Sequence, residues 1–192
     1  YTDPNFIQEA LSLSTQHERV VFIQAGHTPY HEAQSACGPA TLPQINGEHQ
    51  WVSGLRYVQH WFETGFFTHL GILFKRAPAR ACQMYQANIS SSDMESFLRL
   101  AREGLILLMK KSVGHWRQHS ENTSRQLQVE DVAANVQIFR AISQQWVADG
   151  LAQLSDFEPH LTRYQARTYA YLYQQAMQNP RIAQSYNPWD LI

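Results

Sequence analysis

A cysteine followed by glycine and proline is the feature of this sequence that first suggests chemistry. Cys37 precedes Gly38-Pro39 within a stretch from Ala25 to Gly47 whose glycines and prolines forbid long regular structure. A loop of that length inside a compact domain is usually functional. We expect Cys37 to lie at the start of a helix, because the helix dipole lowers the pKa of a thiol there and favours the nucleophilic thiolate.

The residues around this cysteine resemble a known nucleophile motif. The run Ala36-Cys-Gly-Pro-Ala-Thr-Leu42 is similar to the motif of the C39-like branch of papain-like cysteine peptidases, and Gly114-His115-Trp116 has the context of that family's histidine. His115 follows Cys37 by 115 − 37 = 78 residues, and Asp131 follows His115 by 131 − 115 = 16. Both intervals are similar to those of the family, although the motif itself covers only about seven residues.

This resemblance implies a cysteine-dependent acyl-transfer or peptidase activity on a peptide substrate, with no cofactor. Cys37 would attack a carbonyl, His115 would take and return the proton, and Asp131 would orient His115. Gln24 or Gln34 would donate a hydrogen bond to the oxyanion. This sequence departs from the family in two ways. The family continues its motif as an apolar helix, whereas this chain has Pro43 and Gly47 there. The family places its histidine on a strand, whereas His115 follows a strongly helical run.

Two pairs of histidines suggest a metal centre as an alternative. His27 and His31, and likewise His115 and His119, have the HxxxH spacing, which on a helix puts both imidazoles on one face. Such a pair could hold Zn²⁺ or iron if the fold supplied further ligands. Pro29 argues against a helix for the first pair.

A third interpretation is a non-catalytic helical module for protein interaction or assembly. The chain has five Trp and nine Tyr, residues that are enriched at protein interfaces. Tyr164, Tyr169, Tyr171 and Tyr173 circle the predicted last helix, so they cannot all face one core. A protein partner is therefore expected under this interpretation.

The charge balance and the apolar pattern exclude several classes of protein. Lys and Arg number 15 against 16 Asp and Glu, so no overall positive charge attracts nucleic acid or an anionic membrane. The longest apolar run, Gly104 to Met109, is far shorter than the roughly 20 residues of a membrane span. Two cysteines do not make a disulfide framework. These features favour a soluble, cytoplasmic protein.

The periodicity predicts a mostly α fold, or an α+β fold, in a single globular domain over residues 1–180 with a tail over 181–192. Residues 19–24 are β-branched and aromatic and predict a strand, whereas 66–74 fit either a strand or a helix. Further helices are predicted over about 129–154 and 155–179.

A capping box at Ser92 and Glu95 predicts a helix from about residue 93, and the apolar period continues to Met109. The end of this helix separates the functional hypotheses. A helix that ends near Gly104 leaves a strand before His115, as the peptidase resemblance requires. A helix that reaches Trp116 favours the metal or interaction hypothesis.

Overall fold

The structure is a computed structural model that describes residues 2–64, 69–86, 92–119 and 129–178. The chain divides into two compact units, Tyr1–Asn122 and Thr123–Ile192. Each unit has buried apolar side chains of its own, and each is described below by itself.

The first unit combines helices with a mixed β-sheet. Its helices are α1 (Phe6–Ser14), α2 (Gly54–Thr64), α3 (Arg76–Ala81) and α4 (Ser92–Ala101), and its strands are β1 (Val20–His31), β2 (Ala36–Cys37), β3 (His49–Ser53), β4 (Ile72–Phe74) and β5 (Leu105–Gln118). The order in the sheet is β2-β1-β5-β3, with β4 also beside β1; β1 and β5 are parallel, and the other pairs are antiparallel. The prediction of a mostly α fold is therefore wrong, because a five-stranded mixed sheet forms the centre of this unit.

The two central strands account for the error. The strand predicted over 19–24 is confirmed, but β1 continues to His31 through a stretch predicted as loop. The helix predicted from about residue 93 is confirmed as α4, but it ends at Ala101, and the apolar residues after Gly104 form β5. A strand that is covered on both faces has a continuous apolar sequence, so its period does not distinguish it from a buried helix.

Gly104 fixes the place where the helix gives way to the strand. A Cβ atom there would lie 2.1 Å from the carbonyl oxygen of Arg19, which accepts a hydrogen bond from the Leu105 backbone N–H. The first residues of β1 and β5 therefore meet at a point where only glycine fits. Of the segment 66–74, residues 66–68 lie outside the described part, and Ile72–Phe74 is strand β4.

Helices cover both faces of the sheet. Phe6 and Ala10 of α1 pack in one apolar cluster with Ile23, Ala25, Leu107 and Met109, which define the α1 face. Neighbouring strand residues point to opposite faces, so Phe22, Gln24, Gly26 and Leu108 define the other face, called here the α2 face. On that face the ring of Phe22 contacts Tyr57 of α2 and Phe97 of α4 edge to face.

The second unit contains two helices, α5 (Val129–Ala148) and α6 (Glu158–Gln178), joined through a 3₁₀ turn at Leu154–Asp156. Both predicted helices are confirmed, although α5 ends earlier than predicted because Gly150 adopts a positive φ of 68°. Buried rings from both helices and the turn pack between them, namely Phe139, Trp146, Phe157 and Tyr164. The predicted tail, 181–192, lies outside the described residues. None of the helices in the described ranges is long and apolar enough to cross a membrane.

Candidate functional site

The structure places Cys37 and His115 at the same end of the sheet. Cys37 lies on β2 opposite Tyr30 of β1, and Tyr30 lies opposite Arg117 of β5, two residues beyond His115. Cys37 is therefore on a short strand and not at the start of a helix. His115 is on a strand, as the peptidase resemblance implies.

The two residues are not in contact. Neighbouring strands are about 4.8 Å apart and rise about 3.3 Å per residue, so two strand spacings and two residues separate the Cα atoms of Cys37 and His115 by on the order of 12 Å. Both side chains are exposed, and within the described ranges no hydrogen bond joins them. The sheet thus brings the Cys37 thiol and the His115 imidazole to the same end of the sheet, but not within hydrogen-bond reach of each other.

The other predicted catalytic residues are spread more widely. Gln24 is fully buried, and it precedes Tyr30 by 30 − 24 = 6 residues on β1, which is roughly 20 Å of strand. Gln34 is exposed in the 3₁₀ turn just before β2. Asp131 belongs to α5 in the second unit, and its side chain lies outside the described part of the chain.

Gln24 belongs to the buried contact between the sheet and α2. The Tyr57 hydroxyl donates a 2.7 Å hydrogen bond to Gln24 Oε1. Burial raises the pKa of Tyr57 far above its ordinary value, so the phenol stays protonated and remains the donor. Gln24 Nε2 has no hydrogen-bond partner among the described residues. Leu108 is the residue opposite Gln24 in the register of β1 and β5.

The histidine pairs do not have the geometry that the metal hypothesis assumed. His27 and His31 lie four residues apart on β1, and His115 lies on β5 with His119 just beyond its end, so each pair spans about 13 Å of extended chain. Among the described residues, no group of three His, Cys, Asp or Glu side chains could hold a metal ion. Burial lowers the pKa of His27, whose ring contacts Trp116 edge to face.

A cavity that the sequence did not predict lies on the α2 face. The segment of residues 40–48, called here the crossing segment, leaves the outer edge of β1 and reaches β3 on the far side of β5. Near its start, the backbone of Thr41 exchanges hydrogen bonds of 3.0 and 2.8 Å with that of His27. Because β3 pairs with the opposite edge of β5, the crossing segment must pass over the sheet.

Gly26 permits this crossing at close range. A Cβ atom on Gly26 would lie 2.3 Å from the carbonyl oxygen of Thr41 and 2.7 Å from the side chain of Leu42. Farther along, Pro43 and Ile45 are buried. The crossing segment is thus packed onto the sheet at Gly26, and its residues 40–46 also line the cavity.

The cavity has a volume of about 800 Å³. It is lined by the crossing segment from Ala40 to Asn46, by Gln50 and Val52 of β3, by Leu108 and Lys110 of β5, and by Arg56 of α2. Gln50 lies opposite Leu108 and Val52 opposite Ile106, so the floor is a patch of sheet with apolar and amide side chains. Two cations, Arg56 and Lys110, line the cavity, and the described lining contains no acidic residue.

The sequence carried one signal for this cavity. The glycine- and proline-rich stretch was predicted to be a long functional loop, and the crossing segment is its last part. The residues that complete the cavity, Gln50, Arg56 and Lys110, come from three other elements and show no pattern in the sequence. Only the sheet order brings them together.

The tyrosines of α6 are distributed as their spacing predicted. Tyr164 is buried, whereas Tyr171 and Tyr173 are 43% and 56% exposed. These rings cannot all belong to the core of the second unit, and two of them face outward.

A comparison of the chain with protein-family models finds no matching family, and a comparison with curated proteins finds no match. The similarity to C39-like peptidases therefore rests on the residues around Cys37 and His115.

Proposed function

We propose that the first unit binds a small organic molecule in the cavity beneath the crossing segment. The observation that carries this proposal is the cavity itself, whose volume of about 800 Å³ falls within the range of roughly 300–1,000 Å³ typical of small-molecule sites. Its floor belongs to the central sheet, whose opposite face is packed against α1.

The lining supports a ligand of mixed polarity. Leu42, Val52 and Leu108 offer apolar contact, while Gln44, Asn46 and Gln50 offer amide donors and acceptors. Small-molecule sites commonly combine apolar walls with a few polar groups that fix the orientation of the ligand.

The test is a screen of small acids, alcohols and amides by ligand-observed NMR, with one variant that fills the cavity. Gln50→Trp places a large ring where an exposed side chain now lines the cavity, on an edge strand that tolerates aromatic residues. Gln8→Trp, on the exposed surface of α1, is the matched control. Compounds that bind the wild type and Gln8→Trp should lose binding to Gln50→Trp. Binding that is equal in both variants would contradict the proposal.

We propose thiol chemistry at Cys37 as a second candidate function. The observation in its favour is that the exposed thiol and His115 flank Tyr30 at one end of the sheet. The spacing leaves room for an acyl group between them. The Cys37 thiol would lose its proton to solvent, and Sγ would bond to the acyl carbon as the bond between that carbon and the leaving group breaks. His115 would give a proton to the leaving group.

An activated ester such as p-nitrophenyl acetate tests this candidate. The wild type should form an acetyl adduct on Cys37 with release of nitrophenol, and His115→Ala should slow this release by roughly 100-fold. Cys82→Ala is the control, since burial raises the pKa of the Cys82 thiol. Release by Cys37→Ala at the wild-type rate would exclude the candidate, and so would an unchanged rate in His115→Ala.

A further inference from the structure

On the basis of that proposed binding function, we propose that the ligand of the cavity is an organic acid with a negative charge at each end, of the dicarboxylic class. The inference comes from the placement of the two cations at opposite ends of an uncharged floor.

The strand register sets the two ends. Lys110 lies two residues beyond Leu108 on β5, whereas Arg56 lies in the first turn of α2, where its backbone N–H donates a 3.2 Å hydrogen bond to Ser53 Oγ. Ser53 pairs with Leu105. Leu105 and Lys110 are 110 − 105 = 5 residues apart on β5, or roughly 16 Å of strand. The long side chains of Arg56 and Lys110 shorten the distance between the two charges.

Lys110 has no counter-ion among the described residues. Its Nζ donates to the carbonyl oxygen of Ile45 at 3.4 Å. Its neighbour Lys111 lies on the opposite face of the sheet, in salt bridges of 2.6 and 2.5 Å to Asp3 and Glu9. An ammonium group that has one long bond to a carbonyl keeps donors for a carboxylate.

The other end of the cavity is positive for two reasons. Arg56 lines it, and a guanidinium can bind a carboxylate through two parallel hydrogen bonds. The amino-terminal end of α2, which begins at Gly54, adds the positive end of a helix dipole close to Arg56.

The floor between the cations suits a methylene chain. Leu108 and Val52 are apolar, and Gln50 beside them is neutral. A single inorganic anion is too small to contact both cations. An acid with two carboxylates joined by methylenes contacts both cations and covers the apolar floor.

Isothermal titration calorimetry with succinate, adipate and suberate tests the ligand class, with the monomethyl and dimethyl esters of the best acid as matched probes. The diacid should bind roughly tenfold more tightly than its monomethyl ester, because the ester lacks one charge-assisted contact. Affinity should fall as salt concentration rises.

Variants assign the two ends. Lys110→Gln and Arg56→Gln should each bring the affinity for the diacid down to that for the monoester. Arg163→Gln, which removes an exposed cation from α6 in the second unit, should leave it unchanged. Thermal unfolding of each variant checks that it is folded.

The outcomes separate the ligand class from the binding function. A dimethyl ester that binds as tightly as the diacid, with binding lost in Gln50→Trp, would overturn the acid class and keep the cavity as a ligand site. Equal losses in Arg163→Gln and Lys110→Gln would show a nonspecific charge effect and overturn the class as well. If none of the acids or esters binds, the acid class fails; the proposed function fails too if no other compound loses binding in Gln50→Trp.

Discussion

Lys110 and Lys111 are adjacent in the sequence, yet they serve the two faces of the sheet in different ways. Lys111 forms salt bridges to Asp3, which precedes α1, and to Glu9 of α1. On the same face, α1 packs on a continuous apolar cluster. Lys110 lines a cavity and bonds only weakly to a carbonyl. On the α1 face, Lys111 is paired with two carboxylates and the core is closed. Part of the α2 face is an open cavity whose described lining has two cations and no acidic residue.

From this difference we expect the α1 face to contribute mainly to stability and the α2 face to contribute mainly to ligand binding. Apolar burial and paired charges on the α1 face stabilise the unit, so changes there should lower the free energy of unfolding and leave ligand binding intact. Changes beneath the crossing segment should alter binding more than stability. The predictions below test this contrast, in order of decreasing effect.

Removal of a large side chain from the closed face should have the greatest effect on stability. Phe6 is 0% exposed in the cluster beneath α1, so Phe6→Ala should lower the free energy of unfolding by about 3–5 kcal/mol. Denaturant unfolding measures the loss, and calorimetry under native conditions should give an unchanged affinity for the diacid. A parallel fall in affinity would break the proposed contrast between the faces.

A smaller loss of stability is expected from Gly26→Ala, together with weaker binding. The new Cβ atom would meet the backbone of Thr41 and force the crossing segment outward, at about 1–3 kcal/mol. Gly47→Ala, within the crossing segment, is the control, because no atom lies within 4 Å of its Cβ position; its φ of 77° adds local strain only. Equal affinities of the two variants for the diacid would show that the crossing segment does not shape the site.

The buried histidine of β1, His27, should make stability depend on pH. Burial lowers the pKa of His27, so the folded protein holds the ring neutral, while the unfolded chain takes up a proton near pH 6.5. The contribution of the neutral His27 ring to the free energy of unfolding is fully present above that pH and is lost as the pH falls below it. Thermal unfolding from about pH 8 to about pH 5 should therefore show a shallower decline in His27→Gln than in the wild type. Identical slopes would contradict this assignment.

The smallest effect should come from the ion pairs on the closed face. Lys111 lowers the pKa of Asp3, so the Asp3 carboxylate stabilises the fold above its unfolded pKa of about 3.9 and ceases to do so as the pH falls through its folded value. Asp3→Asn should be slightly less stable than the wild type at neutral pH, with the difference vanishing in acid. A difference that persists in acid would point to packing in place of charge.

The sequence predicted local structure better than it predicted the architecture. The capping pattern before Met94 and the β-branched run before Gln24 marked the starts of α4 and β1, since both signals are local. The period of Leu105 to Met109 fitted a helix equally well, and pairing with β1 decides it as a strand. That pairing depends on residues far away in the chain, which no local period records.

The site shows the same limit. The stretch from Ala25 to Gly47 carried a visible loop signal, although its first part is strand β1. Arg56 and Lys110 gave no such signal, because the role of each depends on which face of α2 or β5 it occupies. The Cys37 and His115 motifs predicted a catalytic pair from spacing in the sequence, and the sheet places β1 between them.

The central pairing also sets the order in which the unit can assemble. Val20 pairs with Leu105, 105 − 20 = 85 residues later in the chain, and closure of a long loop delays the contacts that it brings together. During synthesis β1 must wait with one edge unpaired until β5 has left the ribosome. Leu108 and Lys110 arrive with that last strand, so the proposed ligand site is complete only once the whole sheet of the first unit has formed.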